Sequence, residues 1–281
     1  MAENLQQVKK RIRTAKSIAQ IAKAMEMIAA SKIRKAQTAV EKSRPYSDRV
    51  RFVVQKILAE NDDVSLNSSF VGLNDNVKRK LVYVISTDKG LCGGLLANIF
   101  KKVLTSVSKD DYVVTVGKKA QTFCIKNGFN VKASFNLGTV LPKYEDIFPM
   151  LKIGEDYYKT KEISSVEVIY TCFKNRMVQE PMLKVLAPIQ RDKNFVNKGE
   201  HIFEPSSKEV LDSLIPYYFE VIFYDILMNA YASEQAARMS AMSNANENAN
   251  EITASLTVAF NKSRQAKITN EILDLANGQI H

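Results

Sequence analysis

Residues 217–277 read YYFEVIFYDILMNAYASEQAARMSAMSNANENANEITASLTVAFNKSRQAKITNEILDLAN, a run without glycine or proline. Helix formers and small residues recur in it at helical spacing, and at 1.5 Å per residue such a helix is about 90 Å long. A compact globule of 281 residues has a radius of gyration of roughly 19 Å, hence a diameter of about 50 Å. The run is therefore expected to protrude. Residues 1–44 also lack Gly and Pro, so the two ends of the chain are natural partners in a long antiparallel coiled coil, with a separate body between them.

Working outward, Val8, Ile12, Ala15, Ile18, Ile21, Met25, Ile28, Ala36 and Val40 recur at spacings that suit one face of a helix rather than a strand. The expected matching seam of the C-terminal run is Ile222, Met228, Ala232, Ala236, Met239, Ala249, Ile252, Leu256 and Ala259. Many of these are Ala, which lets two helix axes approach closely. Pro45 is expected to kink or end the first helix's regular section, with helix resuming through Val50, Val53, Val54, Ile57 and Leu58. Residues 61–76 read as a polar linker.

In the middle, 81–85, 112–116, 131–135 and 166–170 are apolar, largely β-branched segments that predict strands, and 95–108, 118–127 and 143–161 predict helices between them. That alternation predicts a Rossmann-like α/β body with a mostly parallel sheet. Residues 177–189 predict a last strand, antiparallel at an edge, because Pro181 and Pro188 suit an edge better than a centre. The expected division is a shaft of 1–60 and 206–281 and a body of 77–195, the foot.

The net charge is +10 and unevenly placed. Lys9, Lys10, Arg11, Arg13, Lys16 and Lys23 crowd the first helix, whereas Glu220, Asp225, Glu234, Glu247 and Glu251 leave much of the C-terminal run mildly acidic. Three readings of the basic helix stand at this point: a solvated face, a nucleic-acid contact, or a contact with an acidic protein surface. No apolar run approaches the length of a membrane span. The basic N-terminus invites a transit-peptide reading, but Glu3, Glu26 and the unbroken periodicity favour mature structure. Cys92, Cys124 and Cys172 are far apart, without CxxC spacing, which argues against a disulfide framework or zinc site and for a reducing compartment.

The turn after the first predicted strand, Ser86-Thr87-Asp88-Lys89-Gly90-Leu91-Cys92-Gly93-Gly94, lies where a parallel sheet would hold a phosphate. It matches neither GxGxxG nor GxxxxGK[ST]. The expectation is a tight turn whose glycines let a helix approach the sheet. His201 and His281 are the only histidines, so a His-based triad or multi-His metal site has almost no material. No catalytic residue, cofactor or metal is expected.

Several segments together resemble the gamma subunit of the rotary F-type ATP synthase: 21–32 (IAKAMEMIAASK), 88–94 (DKGLCGG), 179–181 (QEP), 203–205 (FEP), 233–239 (SEQAARM) and 261–269 (NKSRQAKIT). They span nearly the whole chain in the family's order. The resemblance implies a non-catalytic central rotor shaft, standing in the bore of a hexamer of alternating alpha and beta subunits, with an epsilon-type subunit and the c-ring of the membrane sector as further partners. It implies no nucleic acid, no direct membrane insertion, and a peripheral place on the cytoplasmic face of the bacterial inner membrane. By the same likeness Met25 and Arg238 lie together near the beta levers, Arg264 and Gln265 bond a beta loop, and the basic first helix faces acidic beta loops. Read from the residues alone, Met25 is equally a seam residue and Arg238 equally a helix-surface charge. Gln20-Ile21-Ala22-Lys23 departs from the family's usual Lys-Ile-Thr-Lys, and Leu96 stands where Asn is usual. Two rival classes are a coiled-coil nucleic-acid-binding protein and a small-molecule enzyme on the α/β body. The first would lose affinity steeply with salt, and the second needs a nucleotide pocket after the first strand.

Overall fold

The structure, a computed structural model, describes residues 5–60, 77–189 and 203–278. The linker expected at 61–76, both histidines and the end of the expected body at 190–195 lie outside them. In chain order the elements are α1 (Leu5–Glu60), β1 (Lys80–Ile85), α2 (Leu95–Ser106), β2 (Tyr112–Val116), α3 (Lys118–Lys126), β3 (Asn130–Phe135), a 3-10 turn (Tyr144–Ile147), α4 (Phe148–Lys159), β4 (Ser165–Phe173), β5 (Gln179–Ala187) and α5 (Ser207–Gly278). By contact density they form two compact units, Met1–Ala30 with Arg238–His281 and Ser31–Ala237.

The larger unit is built on a five-stranded sheet of order β3-β2-β1-β4-β5. β1 pairs in parallel with both β2 and β4, β2 in parallel with β3, and β5 runs antiparallel to β4 at the edge. Central β1 is buried from Leu81 to Ile85, as a strand covered on both faces must be, whereas edge strand β3 alternates between exposed and half-buried. Leu81, Tyr83, Ile85, Val114 and Val116 face Met150 and Tyr158 of α4 and Ile222, Phe223, Ile226 and Leu227 of α5. Val82, Val84 and Val113 face Leu95, Ile99 and Val103 of α2 and Ala120 and Cys124 of α3. The chain thus moves from β1 out to β3 over one face and returns to β4 over the other, which keeps all three crossovers the same hand. Each large side chain buried in these layers contributes about 1.5–3 kcal/mol.

In this unit α1 and α5 run antiparallel. Ala36 and Val40 pack with Tyr224, Met228, Tyr231 and Ala232, and farther along α1 Val54, Ile57 and Leu58 pack with the earlier Leu211 and Ile215. Between them Arg51 Nη2 reaches Asp225 Oδ2 at 2.8 Å. α1 passes through Pro45 without ending. The missing amide bond is offset by burial of Val50, Val54, Ile57 and Leu58 immediately beyond it. α5 likewise starts ten residues before Tyr217 and carries Pro216 inside it. Its start is fixed by an N-cap serine: the Glu209 amide donates to Ser206 Oγ at 3.3 Å, and the Ser206 hydroxyl donates to Glu209 Oε1 at 3.1 Å.

The smaller unit is made of the first part of α1 and the last part of α5, and its buried residues recur along one face of each helix. On α1 these residues are Val8, Ala15, Ala19, Ala22 and Ala29, with Ile12 half-buried. On α5 they are Arg238, Met242 and Ala249, with Thr253, Leu256, Phe260 and Ser263 half-buried at three- and four-residue spacing. This corrects the seam expected from sequence. Ile18, Ile21 and Ile28 are 50%, 61% and 56% exposed, Ile252 is 53% exposed, and Ala259 is exposed as well. The physical reason is a strict heptad alternation, in which alanines one position away from the isoleucines keep the 3.5-residue repeat and allow close axes.

Candidate functional site

At the carboxyl edge of the parallel strands, chain order reverses between β1 and β4, and in an open α/β sheet this crevice is the usual ligand position. Here it is filled from within. Ile85, Thr87, Leu95, Thr171, Leu227, Tyr231 and Glu234 close around a cavity of about 40 Å³. That is room for no more than a few waters, against the several hundred Å³ of a small-molecule site.

The turn 86–94 ties elements together. Ser86 Oγ accepts the Ala120 amide at 2.7 Å, and Asp88 Oδ1 accepts the Lys118 amide at 2.8 Å, so the N-terminus of α3 holds the chain's own carboxylate where a phosphate would otherwise be drawn. Asp88 Oδ2 accepts the Gly138 amide at 2.5 Å. The expected role of the turn's glycines holds only in part. A Cβ on Gly90 or Gly94 would meet nothing within 4 Å, while Gly93 adopts a left-handed φ of 57°. The close approach is at Gly117, with φ of 100° and a Cβ position 2.4 Å from the Ser86 carbonyl oxygen. No Gly-rich signature marks that position, so sequence reading had no handle on it.

The three cysteines are free thiols, and burial pushes the Cys124 thiol up to about 11 against the opposing charge of Lys109, which keeps it protonated. Among the described residues no three His, Cys, Asp or Glu side chains come together as a metal site, and no helix is long and apolar enough to cross a membrane.

Met25, Arg238, Arg264 and Gln265 all belong to the smaller unit. An open groove there is lined by Gln7, Arg11 and Ile18 of α1 and by Ala245, Ile252 and Leu256 of α5. Two turns on from Ile18 along α1 stands Met25, and two turns back from Ala245 along α5 stands Arg238, so antiparallel pairing sets the two at one level. Met25 is half-buried and Arg238 is 7% exposed, which makes the arginine an inward-facing group rather than a surface charge. Arg264 and Gln265 are exposed on a stretch of α5 where 264–273 are all exposed. Nothing brings that pair to the first pair. Sequence reading missed the exposed apolar stripe of Ile18, Ile21 and Ile28, with Ile252, Ile268 and Ile272 on α5. The alanines at 15, 19, 22 and 29 were the available signal. Lys32 does not join the exposed basic face, since its Nζ donates to the Thr139 carbonyl at 2.6 Å.

A family model described as ATP synthase matches residues 4–279. ATP synthase gamma chains of Chloroflexus aurantiacus and Dehalococcoides mccartyi are similar, the first 34% identical over 97% of this chain and 96% of its own length, the second 38% identical over 98% of each. Among solved structures, a chain of the Euglena gracilis mitochondrial ATP synthase in rotational state 3 shares the fold, with a TM-score of 0.72 at 16% identity over 98% of this chain and 93% of that one. A chain of the central stalk and c-ring assembly of the Tetrahymena thermophila mitochondrial ATP synthase gives a TM-score of 0.59 at 28% identity, covering 80% of this chain and 99% of that one. With the match running almost from end to end, and with a blocked sheet edge beside a long antiparallel helix pair, the chain belongs to the ATP synthase gamma chain family.

Proposed function

We propose that this chain is the central rotor shaft of an F-type ATP synthase and has no active site of its own. It couples ion flow through the membrane sector to ATP synthesis or hydrolysis on the beta subunits by rotating inside the alpha and beta hexamer. The epsilon-type subunit and the c-ring are its partners at the foot, and it sits peripherally on the cytoplasmic face of the bacterial inner membrane. Residues 1–60 and 206–281 serve as the shaft and 77–195 as the foot. Met25, Arg264 and Gln265 meet the beta subunits, and Arg238, 7% exposed, meets them only at its margin.

The observation that carries this reading is the apolar surface of the smaller unit. Ile18, Ile21, Met27 and Ile28 of α1 and Ile252, Val258, Ile268, Ile272 and Leu273 of α5 are all about half exposed or more. A surface of that kind is what a surrounding protein covers. The blocked cavity at the sheet edge supports the non-catalytic part. The test is purification of the native complex through a tag on this chain, which is expected to bring down alpha, beta, epsilon-type and c-ring subunits, with no ATP hydrolysis by the isolated chain. Turnover by the pure chain that is abolished by Lys89→Ala or Gly93→Ala would establish an enzyme on the α/β body instead.

A further inference from the structure

Two of the segments that carry the family resemblance, 21–32 on α1 and 88–94 after β1, are fastened to one loop. Residues 136–142 join β3 to the 3-10 turn before α4. At the sheet, Asp88 Oδ2 accepts the Gly138 amide at 2.5 Å while its other oxygen holds the first amide of α3. Gly138 has a left-handed φ of 71°, which favours glycine there. At α1, the Lys32 ammonium donates to the Thr139 carbonyl at 2.6 Å. Leu137 packs against the core of one sheet face, and Leu141 packs against the cluster of Ala36, Met228, Tyr231 and Ala232 between α1 and α5. Just beyond the loop the Tyr144 hydroxyl donates to Glu220 Oε2 of α5 at 2.7 Å.

Apolar contacts are non-directional, so the packing of Ala36 and Val40 on α5 constrains the position of this stretch of α1 more than its rotation. A charged hydrogen bond made at the end of a lysine stem acts off the helix axis and opposes that rotation. We propose that loop 136–142 is a key that locks α1 to the parallel sheet against relative twist, with Asp88 and Lys32 as the positioning residues at its two ends. The inference rests on the rotor reading, because a twist-resistant joint matters where torque passes between sheet and helix pair.

Asp88→Asn leaves one oxygen to serve two amides, and Lys32→Met keeps the stem but removes the donor. The experiment uses whole complexes carrying each variant in inverted membrane vesicles, with ATP hydrolysis and the resulting membrane potential measured together. Both variants are expected to hydrolyse ATP near the wild-type rate and to build a smaller potential per ATP, and Lys32→Arg, which retains a donor, is expected to restore it. In Asp88→Asn the Gly138 amide is expected to exchange about tenfold faster or more, the loss of one charge-assisted bond. Wild-type potential per ATP in both variants overturns the key. So does a fall of hydrolysis and potential by one common factor that tracks the amount of assembled complex, since that makes both residues folding determinants. Potential generated by complexes lacking this chain altogether would instead refute the rotor reading.

Discussion

At the scale of single residues, the least forgiving contact in the sheet core is between Tyr83 and Gly154. The buried Tyr83 hydroxyl donates to the Met150 carbonyl at 2.7 Å, and a Cβ built on Gly154 would stand 2.7 Å from that same hydroxyl oxygen. Helix propensity alone predicts that Gly154→Ala stabilises α4 by about 0.5–1 kcal/mol. We expect the reverse, a net loss of about 1–3 kcal/mol, because the hydroxyl must abandon a buried acceptor to make room. In a Tyr83→Phe background the nearest ring carbons are 3.6 Å away, and Gly154→Ala is expected to stabilise relative to that background. Urea unfolding of the four variants checks the sign change, and the same sign in both backgrounds would refute it. At the other end of the chain, Arg264→Ala with Gln265→Ala is expected to leave the chain folded, since both side chains are exposed. The assembled complex should nonetheless lose about tenfold in ATPase or synthesis rate, as loss of polar contacts to a surrounding subunit would cause. Wild-type rates at equal subunit content would remove both residues from the beta interface.

At the scale of elements, the strands were legible because Leu81-Val82-Tyr83-Val84-Ile85 and Tyr112-Val113-Val114-Thr115-Val116 are unbroken β-formers between turn residues, and the edge place of β5 followed from Pro181. The start of α5 was also written in the chain, as an N-cap serine at 206 with Glu209 three residues on, but a run defined by the absence of Gly and Pro begins only past Pro216. The seam was misread because isoleucine is the stronger apolar signal, although burial between close helices went to alanine. Along α1 and α5 in the larger unit the directional contact is ionic, and it is asymmetric. Arg51 pairs with Asp225, and the pKa of Lys184 on β5 is lowered by burial and then by the Arg51 charge, while the Asp225 charge raises it. Asp225 thus holds Arg51 through a direct bond and acts on Lys184 through its field alone. Removing a cation leaves the other in place, so Arg51→Met is expected to cost only about 1 kcal/mol for this partly exposed pair. Asp225→Asn leaves Arg51 and Lys184 facing each other and is expected to cost about 2–3 kcal/mol, with Lys184→Met recovering part of it. Thermal unfolding of the three variants orders them, and equal losses for Arg51→Met and Asp225→Asn would sink the two-cation account.

At the scale of the whole molecule, the antiparallel pairing sets a limit that neither helix shows alone. Gln7 and Leu256 both line the groove in the smaller unit, so by antiparallel pairing the residues of α5 past about Phe260 have no opposite number among the described residues of α1. Burial agrees: from Asn261 to Leu273 only Ser263 is even half-buried. A helix of this length without a partner is marginal in water, because nucleation and propagation barely offset the entropy of ordering it. Ile268, Ile272 and Leu273 are nevertheless 47%, 60% and 54% exposed on it, a combination that makes sense when another protein supplies the missing contacts. We expect amides from about residue 262 onward to exchange fast in the free chain, at rates close to those of an unfolded peptide, and slowly in the assembled complex. Amides of 8–29, where α1 is buried against α5 through Ala15, Ala19, Ala22 and Ala29, should be protected in both states. Equal protection of 262–273 in the free and assembled chain would mean that this stretch finds its partner within its own chain, and the reading of the helix end as a surface for the surrounding hexamer would fall with it.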